Sequence, residues 1–235
     1  MRIIQYTIVW GMLAISLTAC SSKKNDEDNK ATSAKATKVA IVDVDECLPL
    51  IVAEHLGLLD SLHADVKLIR KGSIAECKQA VENGEADACV NDQAIGYKLI
   101  TAKKARIKRI SQLNDKVIAA DREGHSFYMA RMAVDSLMKA LQPVFIIQVE
   151  NIRVRLNMLI TSNIDAAILP EPYASRAVNM GNYEIKVKAK SNSKSITEMQ
   201  QPLLTKKIAK LKEPLSIAHD SIRRFGKENY ERIWK

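Results

Sequence analysis

From residue 38 onward the chain writes one pattern twice, and that duplication limits its possible folds more than any other feature. Residues 39–42 form a continuous apolar run, as expected for a strand covered on both faces. Pro49 opens a helix with Ile51, Val52 and Leu56 on one side and Gly57 at its end, the usual order of proline early and glycine late. A second strand is predicted at 65–70. Ser73 and Glu76 then make a capping-box pattern before a helix whose Ile74, Cys77, Ala80 and Val81 have helical spacing, and Asn83-Gly84 ends it. The third strand is 86–90. The same order recurs with strands at 116–120, 145–149 and 164–169 and helices at 126–141 and 153–161. Residues 84–90 can be laid over 162–168, with Asp87-Ala88 and Asp165-Ala166 each opening a third strand. Two homologous α/β units are therefore predicted, each a mainly parallel sheet flanked by helices. Residues 183–188 read as a further strand and 217–234 as mostly helix, a tail expected to cross back onto the first unit. In open α/β sheets ligands sit beyond the carboxyl ends of the strands, so a site is sought in the loops that follow them.

The N-terminal residues speak to location. Arg2 is followed by an apolar run over 3–17 and then by Leu17-Thr18-Ala19-Cys20. The run falls short of the roughly 18 to 20 residues that a bilayer-spanning helix needs, so residues 1–19 read as a secretory signal. Leu17-Thr18-Ala19-Cys20 resembles the bacterial lipobox. The resemblance implies cleavage before Cys20 and acylation of its thiol and amine, palmitate-type chains that hold a protein durably to a membrane. An ordinary buried or disulfide-bonded Cys20 is the alternative. Residues 20–37 then read as the acylated position and a tether without any apolar side chain larger than alanine, which cannot bury enough surface to order itself. As a flexible coil it spans on the order of 20 to 25 Å. The acidic cluster Asp26-Glu27-Asp28 resembles surface-export signals of bacterial lipoproteins, so outer-surface display stays open beside a lipid-anchored position facing the periplasm.

Composition narrows the functions. The chain carries a formal +9, and Arg2 is the sole charge in residues 1–19, so the remainder keeps +8. A basic balance invites a nucleic-acid partner. Here the cations are spread over helix faces and strand ends, aromatics are few, and an exported protein meets no nucleic acid. Cys47, Cys77 and Cys89 follow Cys20, with no Cys-x-x-Cys or Cys/His spacing that fits zinc, so no metal or cofactor is expected. Cys77 and Cys89 read as small core residues, with a disulfide through Cys47 as the other possibility.

Four stretches carry a resemblance to a known family: Pro49 to Leu59; Gly72-Ser73 with Val81 to Ala88; Ile110 to Ala119; and Ile164 to Tyr173. In that order they resemble the type II periplasmic solute-binding proteins, nearest to the branch serving sulfonate, nitrate and thiamine-pyrimidine importers. The resemblance covers about residues 38–180 and implies a two-lobed type II periplasmic-binding-protein fold. Lobe 1 would comprise 38–100 with about 185–235, and lobe 2 would comprise 101–184. It further implies a monomer that binds a small-molecule solute between its lobes and delivers it to an ABC permease with its ATPase. The chain departs from the family pattern in having little sequence after the second lobe and few aromatics.

The candidate ligand-binding residues lie in the predicted strand-end loops. Asp43, Asp45 and Glu46 run from the first strand to the helix begun by Pro49, although Asp45 or Glu46 can equally stabilise the positive end of that helix. Asn91, Asp92 and Gln93 follow the third strand and offer donors and acceptors, or satisfy a turn. Gly124, His125 and Ser126 stand at a helix N-terminus, where free N–H groups favour an anion and glycine permits close approach; Ser126 as a plain cap is compatible with this. His125 has no nucleophile at suitable spacing, so no catalytic residue is assigned. Glu171 closes the last strand, and Tyr173 adds a flat apolar face with a polar tip. The excess of carboxylates favours a cationic or hydrogen-bond-donating ligand. Two alternatives remain: an enzyme of the same fold, such as a chorismate dehydratase or a thiamine-pyrimidine synthase, and a lipoprotein without ligand that acts as an interaction module.

Overall fold

Each half of the chain builds the same three-stranded parallel core. In the computed structural model, which describes residues 36–92, 95–135, 137, 143–187 and 204–234, β1 (Thr37–Val42) lies between β2 (Val66–Lys71) and β3 (Ala88–Cys89), parallel to both. In the second half β5 (Val117–Ala120) lies between β6 (Phe145–Gln148) and β7 (Ala166–Pro170), again parallel to both. The repeated aspartates explain part of the likeness. Asp87 accepts the N–H of Lys38 at 2.7 Å, and Asp165 accepts the N–H of Val117 at 3.1 Å. Each therefore pins the start of a third strand to the start of the first.

The helices follow their local signals. α1 (Leu48–His55) carries Pro49 in its first turn and buries Leu48, Leu50, Ile51, Val52 and Ala53. The single-turn α2 (Leu58–Ser61) follows Gly57. α3 (Ile74–Glu82) is capped by Ser73 Oγ, which accepts the Glu76 N–H at 3.1 Å, while the Glu76 carboxylate reaches back to the N–H of Gly72 at 3.0 Å. α4 (Gly124–Asp135) starts two residues earlier than predicted, and α5 (Ile152–Ile160) is capped by Asn151. α6 (Tyr173–Asn179) follows Pro172 directly. α7 (Lys212–Phe225) begins five residues before the predicted start, because Pro214 is tolerated in a first turn, where its missing N–H has no partner to lose. Leu211, Leu215, Ala218 and Ile222 form its buried stripe, and α7 packs on α1. A further tie comes from Thr205, which donates its N–H to the Cys89 carbonyl at 2.8 Å and accepts the Cys89 N–H at 3.1 Å. Among the described residues no helix is long and apolar enough to cross a membrane.

One strand has no counterpart in the pattern predicted from sequence. β4 (Tyr97–Thr101) runs antiparallel to β7 and to β8 (Tyr183–Ile185), so the larger sheet has the order β6-β5-β7-β4-β8. Thr101 anchors the turn beyond it, its hydroxyl lying 2.7 Å from the Ile107 carbonyl and 3.2 Å from that of Tyr183.

The larger sheet is organised around a buried cation. Arg155, at 0% exposure, spends all five guanidinium N–H groups on acceptors from four elements. Nε donates to the Val149 carbonyl at 2.9 Å, and Nη1 to the Ile168 carbonyl at 2.6 Å and Ser126 Oγ at 3.2 Å. Nη2 donates to the Glu150 carbonyl at 3.3 Å and forms the ion pair with Asp121. Burial works to raise the Asp121 carboxyl above its usual range, against the pull of Arg155. Replacing Arg155 by methionine strands that carboxylate and four further acceptors. Urea unfolding of Arg155→Met should show a loss of about 3–5 kcal/mol. A loss below about 1 kcal/mol would mean that the pair is not what holds these elements together.

Candidate functional site

The strand-end loops of the two sheets meet. The Asp45 N–H donates to the Glu171 carbonyl at 2.9 Å, and the Ile152 N–H donates to the Gly72 carbonyl at 3.1 Å. Asp43 accepts from Arg153 of α5 at 2.8 Å and from Arg70 of β2 at 3.2 Å. Of the sequence-predicted residues, Asp43, Asp45, Glu46 and Glu171 come together at this junction, and Asp92 meets Gly124 and His125 in a separate contact. Cys20, residues 21–35 of the tether and Gln93 lie outside the described residues, and Thr37, counted in the tether from sequence, is instead the first residue of β1.

Three carboxylates crowd the middle of this junction. Asp45 is buried and pairs with Lys227 from the C-terminal segment. Glu46 accepts the Gly96 N–H through Oε1 at 2.7 Å, while its Oε2 is buried with no hydrogen-bond partner. Burial, reinforced by Asp45 and Glu171 and opposed by the Gly96 N–H, pushes the Glu46 carboxyl up to about 7. Glu171 behaves oppositely. Its partial burial works to raise it, but hydrogen bonds from Lys98 at 2.9 Å and from the Ser175 N–H and hydroxyl, each at 2.9 Å, outweigh this and hold it below the usual carboxylate range.

The N-terminus of α4 already holds an anion. Asp92, 8% exposed, accepts the His125 N–H through Oδ2 at 2.6 Å and the Tyr97 hydroxyl through Oδ1 at 3.0 Å. Gly124 has φ +84°, and a Cβ there would overlap Asp92 Oδ2, so glycine is required for this close approach. Burial, with Asp92 alongside, pushes the Tyr97 phenol well above its usual range and keeps it a donor. Ser126 is fully buried, accepting from the Asp121 N–H at 3.0 Å and from Arg155, so its position serves the fold. The anion-binding geometry expected at Gly124, His125 and Ser126 is therefore present, and the chain's own carboxylate fills it. Asn91 is exposed beside this contact.

Tyr173 is buried, and its hydroxyl accepts from Arg153. It borders a pocket of about 330 Å³ between α5 and α6, lined also by Arg153, Pro172 and Arg176. Sequence reasoning missed Arg153, Lys98, Tyr97 and Lys227 as members of the junction. Arg153 had one signal, its place in the first turn of a helix after a predicted strand; Lys227 had none, because it arrives from the far end of the chain. The thiols of Cys47, Cys77 and Cys89 are free and buried; burial raises that of Cys77 to about 12 and that of Cys47 well above its usual value. Among the described residues no cluster of His, Cys, Asp and Glu could hold a metal ion.

No protein-family model matches the sequence, and no curated protein matches it. Solved structures do resemble it. A protein from Bordetella bronchiseptica RB50 superposes with a TM-score of 0.59 at 19% identity, over 84% of this chain and 74% of that one. The alkanesulfonate-binding protein from Xanthomonas axonopodis pv. citri, bound to MOPS, does so with a TM-score of 0.59 at 11% identity, over 84% and 77%. The periplasmic aliphatic sulphonate binding protein of Escherichia coli gives 0.58 at 14% identity, over 86% and 78%. The fold is the two-lobed type II periplasmic-binding-protein fold, as the sequence resemblance implied.

The raised pKa of Glu46 has a defined sign. Its folded-state value lies above its unfolded value, so its contribution is most favourable below about pH 4.5 and is lost as pH rises through about 7. The melting temperature of Glu46→Gln should match wild type near the lower pH and exceed it above the higher one, by an amount equivalent to roughly 3 kcal/mol. Parallel pH profiles for the two proteins would contradict the buried, unpartnered carboxylate.

Proposed function

We propose that this protein is a membrane-anchored solute-binding lipoprotein that takes a small polar organic molecule at the junction of its two lobes and passes it to an ABC importer. The observation that supports this best is the convergence of strand-end loops from both sheets on Asp45, Glu46 and Glu171, with Glu46 Oε2 buried and without a partner. A ligand amine or ring N–H would satisfy that oxygen and offset the charge around it. Asp92 at the start of α4 makes the same choice from the other side, since a ligand anion there would meet an existing carboxylate.

In this reading Asp43, Asp45, Glu46, Asn91, Asp92, Gln93, His125, Glu171 and Tyr173 surround the solute, while Gly124 and Ser126 shape the loop that holds Asp92. One lobe comprises the smaller sheet with the C-terminal segment, and the other comprises the larger sheet, which takes in residues 97–100, assigned to lobe 1 from sequence, because β4 pairs with β7 and β8. The contacts Asp43–Arg153 and Asp45–Glu171 are closing contacts, and a solute that touches both lobes favours the closed form. Acylated Cys20 and the tether hold the domain at a membrane of the cell envelope. Binding rather than catalysis is the activity, as for the sulfonate-binding neighbours. A second reading, an anionic solute, draws on the pocket beside Tyr173, which Arg176 lines together with Arg153, the partner of Asp43.

Native mass spectrometry of the purified protein tests whether a small molecule co-purifies, and calorimetry against amines, aminopyrimidines and alkanesulfonates decides its class. Amines or aminopyrimidines are expected to bind and alkanesulfonates not to. Glu171→Gln should weaken binding by about tenfold or more, equivalent to about 1.4 kcal/mol, without lowering the melting temperature by more than a few degrees. Tight sulfonate binding with none of amines reverses the ligand class, and an unchanged affinity in Glu171→Gln removes the junction as the site.

A further inference from the structure

Four cations of the junction have acidic partners: Arg70 and Arg153 with Asp43, Lys98 with Glu171 and Glu184, Lys227 with Asp45. A second group of cations does not. Lys103, Lys104, Arg106 and Lys108 line a groove of about 1020 Å³ at the far end of β4, and among the described residues no acidic one lines it with them. Among the described residues none of the four enters an ion pair, and each is exposed.

These side chains stand on a pinned turn, not on a loose loop. Ile107 between them is buried at 2% exposure, and its carbonyl is held by Thr101. The Lys103 N–H donates to Asn182 Oδ1 at 2.8 Å, and the buried Asn182 spends its NH₂ on the Ala177 carbonyl at 2.8 Å. Lys108 Nζ lies 5.2 Å from the Tyr183 ring centroid, which orients it over the groove wall. The carboxyl ends of α5 and α6 also reach this groove, at Ile160 and Met180. Their partial negative charges, about half a unit each, offset only part of four full positive ones. The turn thus holds like charges together against their mutual repulsion, which a bound anion of multiple charge would relieve.

We infer that this groove is a second binding site, distinct from the junction, which takes a phosphate-bearing anion through Lys103, Lys104, Arg106 and Lys108. Phosphate suits the mixture of one guanidinium, which can bond it in a fork, and three ammonium groups acting as point charges. Met180 at 54% and Ile160 at 36% exposure add an apolar rim, which a lipid headgroup with its acyl boundary would cover and a free phosphate compound would not.

The test uses the full chain, in mild nonionic detergent for the soluble probe, pyrophosphate, and diluted below the critical micelle concentration for the vesicle arm. It compares wild type with Lys104→Gln/Arg106→Gln and with a control, Lys206→Gln/Lys207→Gln, which removes equal charge from exposed lysines outside the groove. Calorimetry should show pyrophosphate affinity falling about tenfold in the groove variant and less than about twofold in the control. A second arm measures co-sedimentation with phosphatidylglycerol/phosphatidylcholine vesicles over phosphatidylcholine alone. A groove-dependent gain there, without pyrophosphate binding, identifies a lipid headgroup as the source; pyrophosphate binding without the vesicle gain identifies a free compound. Absence of both, or equal weakening in the two variants, overturns the site. The outcome is independent of whether the junction binds a solute.

Discussion

The larger sheet depends on one buried charge. Arg155 sits in the interior with every N–H donated, and its acceptors mark the ends of β5 and β6, the body of β7 and the first turn of α4. Burying a guanidinium is costly, and the cost is offset only because no donor is left over and Asp121 supplies the counter-charge. The consequence is positional. The loops carrying Asp121, Gly124, Glu150 and Glu171 all leave strands or helices that this side chain ties together, so the half of the junction built from the larger sheet rests on a rigid platform.

Charge is segregated along the molecule. A chain with net +9 gathers Asp43, Asp45, Glu46, Asp92 and Glu171 at the carboxyl ends of its parallel strands, and leaves four cations without an acidic partner among the described residues at the opposite end of the larger sheet. The two ends obey different rules. At the junction burial is high, so charges are paired or, in Glu46, shifted towards neutrality. In the groove the cations remain in water, where repulsion is tolerable and an arriving anion meets no desolvated competitor. Proximity of like charge is thus relieved by a raised carboxyl at one end and by solvation at the other.

Asp92 shows how a local signal can be right and still mislead. The glycine, the free N–H groups and the helix start do form an anion site. Nothing near residue 124 in the sequence says that the anion comes from residue 92, because the loop between β3 and β4 must first fold across to reach it. Arg155 was hidden differently. Ile152, Leu156 and Leu159 define the buried face of α5, and Arg155 lies on that same face, so a charge at a core position was the available sign. β4 escaped because its five residues include Lys98 and it pairs antiparallel with strands far along the chain, outside the parallel repeat.

The sequence by itself determined the repeated strand and helix order, the cap at Ser73, the twin aspartates and the loops that would face one another, because each depends on neighbours within a few residues. Only the tertiary structure decided which charges are paired. Asp43 finds Arg153 over more than a hundred residues and Asp45 finds Lys227 across most of the chain, while Lys104 and Arg106 find no acid among the described residues. Ion pairing falls steeply with distance in space and is indifferent to separation along the chain, so it is settled only when the sheets are laid together.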